Sequence, residues 1–185
     1  MTVPGPYRVR VEALLAELGI PRELVAGRGL AMCNEAHELV VVQTDDDGRE
    51  HLLIPAAAAA WRRLREAALA DEVALSIGSA FRSCDRQAEL IRRKLERGLS
   101  IEGILTSSAP PGYSEHHTGR AVDVITPGSA PLETEFEETA AFRWLVENAG
   151  AFHYEMSFPR DNPHGYVYEP WHWCYREGWG RRDEG

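Results

Sequence analysis

The spacing of apolar residues changes period several times along the chain, and each change predicts an element. Over residues 8–18 valines and leucines recur at helical spacing, and Gly19 is placed to stop that helix. ELVVVQT (38–44) and REHLLI (49–54) are β-rich runs separated by the acidic turn DDDG, which predicts a hairpin. AAAAAWRRLREAALA (56–70) reads as a helix with Pro55 at its start. VALSIGSAF (73–81) reads as a strand running into a Gly/Ser turn, and Ser83 is placed to cap a helix over 84–97 that ends at Gly98. SSAPPGYS (107–114) is a loop by its proline and glycine content, and AVDVI (121–125) is a short strand. Thr134 with Glu137 three residues on has the form of a capping box, predicting a helix over 136–149 that stops at Gly150. AFHYEMSF is a strand, RDNPHG a turn, and YVYEPWHWCY a strand interrupted by Pro170. Helices come first and strands gather toward the end. The expected class is therefore α+β: a single domain with a central, largely antiparallel sheet and flanking helices. Residues 1–70 would supply N-terminal helices and a hairpin to the same globule, and residues 71–185 its core.

Composition narrows the function classes. With 185 residues and 44% hydrophobic content, the chain can bury a real core without staples. Lys plus Arg is 20 and Asp plus Glu is 29, a formal charge of −9. That balance argues against a nucleic-acid partner, since phosphate binding needs a basic face. The mixed-charge runs RLREAALADE and RRKLERG read as solvated helix faces. Three widely spaced cysteines, Cys33, Cys84 and Cys174, do not form a disulfide framework and fit free thiols in a reducing compartment. The N-terminus lacks the form of a secretory signal and no run reaches 18 apolar residues. The chain as written is expected in the cytoplasm, or in the periplasm or cell wall if an export signal has been trimmed.

The chemistry gathers in GYSEHHTGRAVDV (112–124). His116 and Asp123 lie seven residues apart across a glycine turn. Strand alternation sets Asp123 on one face with Ala121 and Ile125, where a charged carboxylate needs a cation or several donors. One His and one Asp are two metal ligands, and a catalytic zinc ion takes three plus an open position. EPWHW (169–173) offers the third in His172, with Glu169 three residues before it as a carboxylate that can take a proton from an attacking water. The two tryptophans could wall such a site. Other pairings stay open on spacing alone: Asp123 with Arg120, Arg82 with Asp85, and a thiolate ligand from Cys174. His117 is expected in solvent, and His164 in a surface turn.

SAFRS (79–83) followed by Gln87, then PGYSEHHTGRAVD, then YEPWHW resembles the zinc D-alanyl-D-alanine carboxypeptidase and dipeptidase family. That family includes the vancomycin-resistance D,D-peptidases and is structurally similar to hedgehog domains and lysostaphin-type peptidases. The pattern Ser-x-His-x-x-Gly-x-Ala-x-Asp followed by Glu-x-x-His matches at Ser114, His116, Gly119, Ala121, Asp123, Glu169 and His172. The resemblance implies one Zn²⁺ held by His116, Asp123 and His172, with His117 on a variable position. It implies Glu169 as the catalytic base and Arg82 as a residue that binds substrate and stabilises the oxyanion. Ser114 and Tyr113, beside the metal loop, are expected to contact substrate. The implied substrate is a peptidoglycan-derived peptide ending in D-Ala-D-Ala. The alternatives are an L-Ala-D-Glu-type cell-wall endopeptidase and a zinc-bearing peptide-binding module without turnover. Neither a nucleic acid nor a membrane span enters the expectation.

Overall fold

The computed structural model describes residues 5–178. The expected domain limits at 1 and 185 lie outside them. Two helices, α1 (Gly5–Glu17) and α2 (Arg22–Gly27), precede a hairpin of β1 (Val40–Thr44) and β2 (Glu50–Leu53). Then come α3 (Pro55–Ala70), β3 (Ser76–Ser79), α4 (Cys84–Glu96), α5 (Ile101–Leu105), β4 (Ala121–Ile125), α6 (Ala140–Asn148), β5 (Tyr154–Met156) and β6 (His172–Tyr175). The last four strands form one sheet in the order β3-β4-β6-β5, every neighbouring pair antiparallel. The α+β class read from the sequence is the architecture observed.

Periodicity explains the packing. On α3, Ala57, Ala60, Trp61, Leu64 and Ala68 are all buried, one stripe at helical spacing against the sheet. They share a core with Ile77, Val122, Val124, Trp144, Leu145, Tyr154 and Trp173. A second core joins α1 and α2 to Cys84, Ala88 and Ile91 of α4 and to Ile104 and Leu105 of α5. Ser83 caps α4 as its sequence predicts, its hydroxyl accepting from the Arg86 N–H at 3.1 Å.

Several elements differ from expectation. Residues 134–138 form a short 3₁₀ turn rather than the start of a helix, and Thr139 caps α6, accepting from the Phe142 N–H at 3.1 Å. Thr139 is extended (φ −78°, ψ 158°), so no helix can run through it; Phe136 is buried in the core on the turn before. The strand expected over 73–81 is paired only at Ser76–Ser79. Only the end of YVYEPWHWCY is a strand. Upstream of Pro170 the backbone bonds loops instead: the Val167 N–H to the Thr106 carbonyl at 2.8 Å and the Glu169 N–H to the Phe158 carbonyl at 3.1 Å. Helix α5, not expected from the sequence, is capped by Ser100.

The N-terminal third presses on the loop before β4. The Cys33 N–H donates to the Gly112 carbonyl (2.7 Å), the Ala36 N–H to the His117 carbonyl (2.8 Å) and the Ile54 N–H to the Gly119 carbonyl (2.9 Å). Gly119 has φ +64°, and a Cβ there would lie 2.9 Å from the Leu39 side chain and 3.2 Å from the Ile54 nitrogen. Only glycine meets both demands.

Candidate metal centre and catalytic cavity

β4 is an inner strand buried on both faces, and its register builds half of the site. Asp123 lies directly opposite His172 on β6 and opposite Ser79 on β3. A 3₁₀ turn over Glu115–Thr118, closed by left-handed Gly119, brings His116 to the same point. His116 Nε2 is 3.3 Å from Asp123 Oδ2, and His172 Nδ1 is 3.0 Å from Asp123 Oδ1. One donor atom from each of the three lies within 4.8 Å of the others, and all three side chains are buried. Tetrahedral ligands ~2.0–2.2 Å from a zinc ion sit roughly 3.4 Å apart, so the set fits with small adjustments. Among the described residues the cluster has these three members, which leaves a fourth position for chemistry.

The far ring nitrogens are also held. His116 Nδ1 meets the Ala80 carbonyl at 2.7 Å, which makes it the protonated nitrogen and turns the Nε2 lone pair toward Asp123. His172 Nε2 meets the Glu115 carboxylate at 3.0 Å. Burial disfavours charge on His172, but its hydrogen bonds to Asp123 and Glu115 outweigh burial and push it up to about 10. A divalent cation among the three groups would take the place of the proton on Nδ1. Asp123 pays for burial too, but His116 and His172 hold its carboxyl well below the usual carboxylate range. Glu115 also receives Arg176 at 3.0 Å and the Ser157 hydroxyl at 2.5 Å.

Beside the cluster opens a cavity of about 470 Å³, lined by Arg82, Ser114, Glu169 and Trp171 together with the three candidate ligands. Glu169 is outside the donor cluster, and burial, with Asp123 adding to it, pushes its carboxyl up to about 7; His172, Arg82 and Lys94 oppose the rise. Arg82 follows β3 and precedes the α4 cap. Its Nη1 donates to Gln87 Oε1 and its Nη2 to Ser79 Oγ, both at 2.9 Å, and Nη2 lies 3.8 Å from Asp123. Asp123 thus faces Arg82 rather than Arg120, and Asp85 pairs with Arg10. Both tryptophans belong to the core; Trp171 also walls the cavity, whereas Trp173 does not and donates to the Pro170 carbonyl.

Tyr113, expected to contact substrate, is not among the cavity's lining residues and packs against the α1–α4 core. His117, expected in solvent, is completely buried. Its Nδ1 donates to the Arg82 carbonyl at 2.5 Å and its Nε2 accepts from the Gly112 N–H at 3.1 Å. Burial pushes this imidazole down to about 4, so it serves as a neutral brace. His164 bonds the Arg28 carbonyl (3.0 Å), away from the cavity lining. Cys174 lies opposite Ala121 on β6 and outside the donor cluster, its thiol held protonated by burial. All three cysteines are buried and outside any disulfide. Two groups escaped the sequence reading. Glu115, a charged residue beside two histidines, reads as loop surface. Lys94 shares a helical stripe with Gln87 and Leu90, and that spacing was the available signal.

Residues 50–178 match the family model described as VanY, D-alanyl-D-alanine carboxypeptidase. The chain is 31% identical over 123 residues to the D-alanyl-D-alanine carboxypeptidase of Enterococcus faecalis (strain ATCC 700802 / V583), covering 60% of this chain and 44% of that protein. It therefore spans less than half the length of that curated relative. Among solved structures, the LdcB LD-carboxypeptidase superposes with a TM-score of 0.68 at 28% identity, over 76% of this chain and 69% of that one. A vancomycin-resistance D,D-pentapeptidase of VanY type, in complex with Zn(II), superposes with a TM-score of 0.61 at 26% identity, over 80% and 88%. With seven-tenths of its residues inside one family model, and with the matching fold, the chain belongs to the VanY family of D-alanyl-D-alanine carboxypeptidases.

Proposed function

We propose that this chain is a zinc carboxypeptidase, binding one zinc ion per chain and removing the terminal residue from peptidoglycan-derived peptides that end in D-Ala-D-Ala. The observation that carries the reading is the joint presence, in one cavity, of a buried His116–Asp123–His172 set and the Glu169 carboxyl held at about 7. Zinc in that position supplies Lewis acidity, polarising a carbonyl and acidifying a water. The chain's own groups do the rest. Glu169, ionised, accepts a proton from the attacking water and returns it to the departing amine; a carboxyl with a value near the working pH suits both transfers. Arg82 donates to the oxygen on which negative charge develops, and its anchors on Gln87 and Ser79 hold it ready. Trp171 and Phe158 keep that side of the cavity apolar.

The likeness to an LD-carboxypeptidase supports a second reading of the scissile bond, an L,D linkage one residue shorter in the stem peptide. Either substrate belongs to the cell wall, which favours action outside the cytoplasm; among the described residues no helix is long and apolar enough to cross a membrane. The test incubates zinc-loaded protein with D-Ala-D-Ala, a pentapeptide ending in it, a tetrapeptide with an L,D terminal bond, and an L-Ala-D-Glu muropeptide. Release of D-alanine from the pentapeptide is expected. Release only from the tetrapeptide selects the L,D reading, cleavage only of the muropeptide selects the endopeptidase, and binding without cleavage of any of them overturns the enzyme.

A further inference from the structure

The cavity holds two cations, and they are placed differently. Arg82 is already engaged: Nη1 on Gln87, Nη2 on Ser79, and Asp123 3.8 Å away. Lys94 is half-buried in the same lining, two turns along α4 from Gln87, and its Nζ donates to the Ser108 hydroxyl at 2.7 Å. Among the described residues no carboxylate lies within ion-pair distance of it. Burial and Arg82 both disfavour its charge while Glu169 favours it, so the ammonium lies within electrostatic reach of the catalytic groups. A half-buried ammonium whose partner among the described residues is a hydroxyl, and not a carboxylate at ion-pair distance, is placed to receive an incoming anion.

The helix face supplies the spacing. Gln87, Leu90 and Lys94 stand at i, i+3 and i+7, so the cavity's α4 wall runs from a polar group bonded to Arg82, across an apolar side chain, to a cation. Helical side chains lean toward the N-terminus, which brings the Lys94 head back toward Arg82. A terminal alanine carries its methyl group and carboxylate within ~3.5 Å of the scissile carbonyl, against ~10.5 Å of helix rise from Gln87 to Lys94, so it is the long, back-leaning Lys94 side chain that brings its ammonium toward the same point. The geometry points to Lys94, supported by Ser108, as the residue that recognises the free C-terminal carboxylate of the substrate. Arg82 is thereby left to the oxyanion. This rests on the carboxypeptidase reading above and adds to it the residue that makes the enzyme act at a chain end.

The test measures zinc-loaded wild type, Lys94→Met and Ser108→Ala on one D-Ala-D-Ala pentapeptide carrying either a free or an amidated C-terminus. Equilibrium binding of the same two peptides is measured on Glu169→Gln with and without Lys94→Met. For the free acid, Lys94→Met is expected to raise KM and weaken binding by roughly 10- to 100-fold, the scale of a charge-assisted contact, with kcat changed little. Ser108→Ala is expected to do the same more weakly. For the amide, wild type and Lys94→Met are expected to match. If wild type cleaves the free acid and Lys94→Met does so with unchanged KM and affinity, the assignment of Lys94 is overturned and the carboxypeptidase reading stands. If wild type treats acid and amide alike, no carboxylate subsite exists. If wild type cleaves neither, the carboxypeptidase reading itself has failed.

Discussion

His116 and His117 are adjacent in the chain and equally sealed from solvent, yet one turn sends them to different regions. His116 faces the Asp123–His172 pair and the cavity; its far nitrogen leans on the Ala80 carbonyl. His117 faces the opposite way, into the scaffold, where it ties the Gly112 amide to the Arg82 carbonyl. Burial therefore does not tell a candidate ligand from a brace. What tells them apart is what the second nitrogen meets: a carboxylate oxygen at 3.3 Å in one case, a backbone amide that needs a lone pair in the other. The brace also serves the site, because Arg82 and the Ser114–His116 turn both hang from it.

The largest expected effects lie on the His116 side. Glu169→Gln keeps fold and zinc but is expected to lose ~10²–10⁴-fold in turnover, or more in a site built around that base. Steady-state assays at saturating zinc check it, and wild-type rates would return the molecule to the binding-module alternative. The same carboxyl sets a pH limb. As the proposed base, Glu169 accepts a proton only when ionised, so activity is expected to be lost as pH falls. Burial holds its value near 7 against an ordinary 4.5, and a nearby cation pulls it down again, so the acid limb of kcat/KM is expected between those values. A flat profile across that window contradicts the role.

Next comes the pair itself. His116→Ala removes one of three donors and is expected to abolish stoichiometric zinc at micromolar protein. His117→Ala is expected to keep zinc but remove the buried bridge between the Gly112 amide and the Arg82 carbonyl, about 2–4 kcal/mol of stability. For a chain of this size that is roughly 5–15 °C in Tm. Metal analysis and thermal unfolding of the two variants separate the duties. Zinc lost from His117→Ala in the folded state would erase the distinction. Arg82 ranks below them: with the terminal carboxylate left to Lys94, Arg82→Lys and Arg82→Ala are expected to lower kcat by roughly 10- to 150-fold with little change in KM.

The same contrast shows what was legible beforehand. The hairpin, α3, α4 and β4 follow from period, Pro55, Ser83 and the DDDG turn, because those signals are local. The convergence of His116, Asp123, His172 and Glu169 on one cavity was legible because their residue types are scarce and their spacing follows a family pattern. The 166–171 segment was misread because alternating aromatics imitate a strand, while the partners of its backbone, Thr106 and Phe158, are set by tertiary packing. Thr139 took the cap from Thr134 for a similar reason: both have capping chemistry, and the burial of Phe136 chose between them. His117 and Tyr113 were misplaced because no one-dimensional pattern says which way a short turn points its side chains.

Glu115 sharpens the comparison with the smallest effect, since it stands to His172 as the Ala80 carbonyl stands to His116. Both are acceptors for the nitrogen that faces away from the metal position, but one is a carboxylate and the other a neutral carbonyl. An anionic acceptor makes the far lone pair a better donor to a cation, and its conservative loss typically costs 10–100-fold in metal affinity. Glu115→Gln preserves shape but sets an amide against Arg176, Ser157 and His172 in place of a charge that all three approach. Zinc affinity, measured by competition with a chromophoric chelator, is expected to fall by about that factor. Turnover at saturating zinc is expected to stay close to wild type, because Glu115 has no part in the proton transfers. An unchanged affinity would mean that His172 is oriented by the β4–β6 register alone. A loss of turnover at full zinc occupancy would place Glu115 among the reacting groups instead.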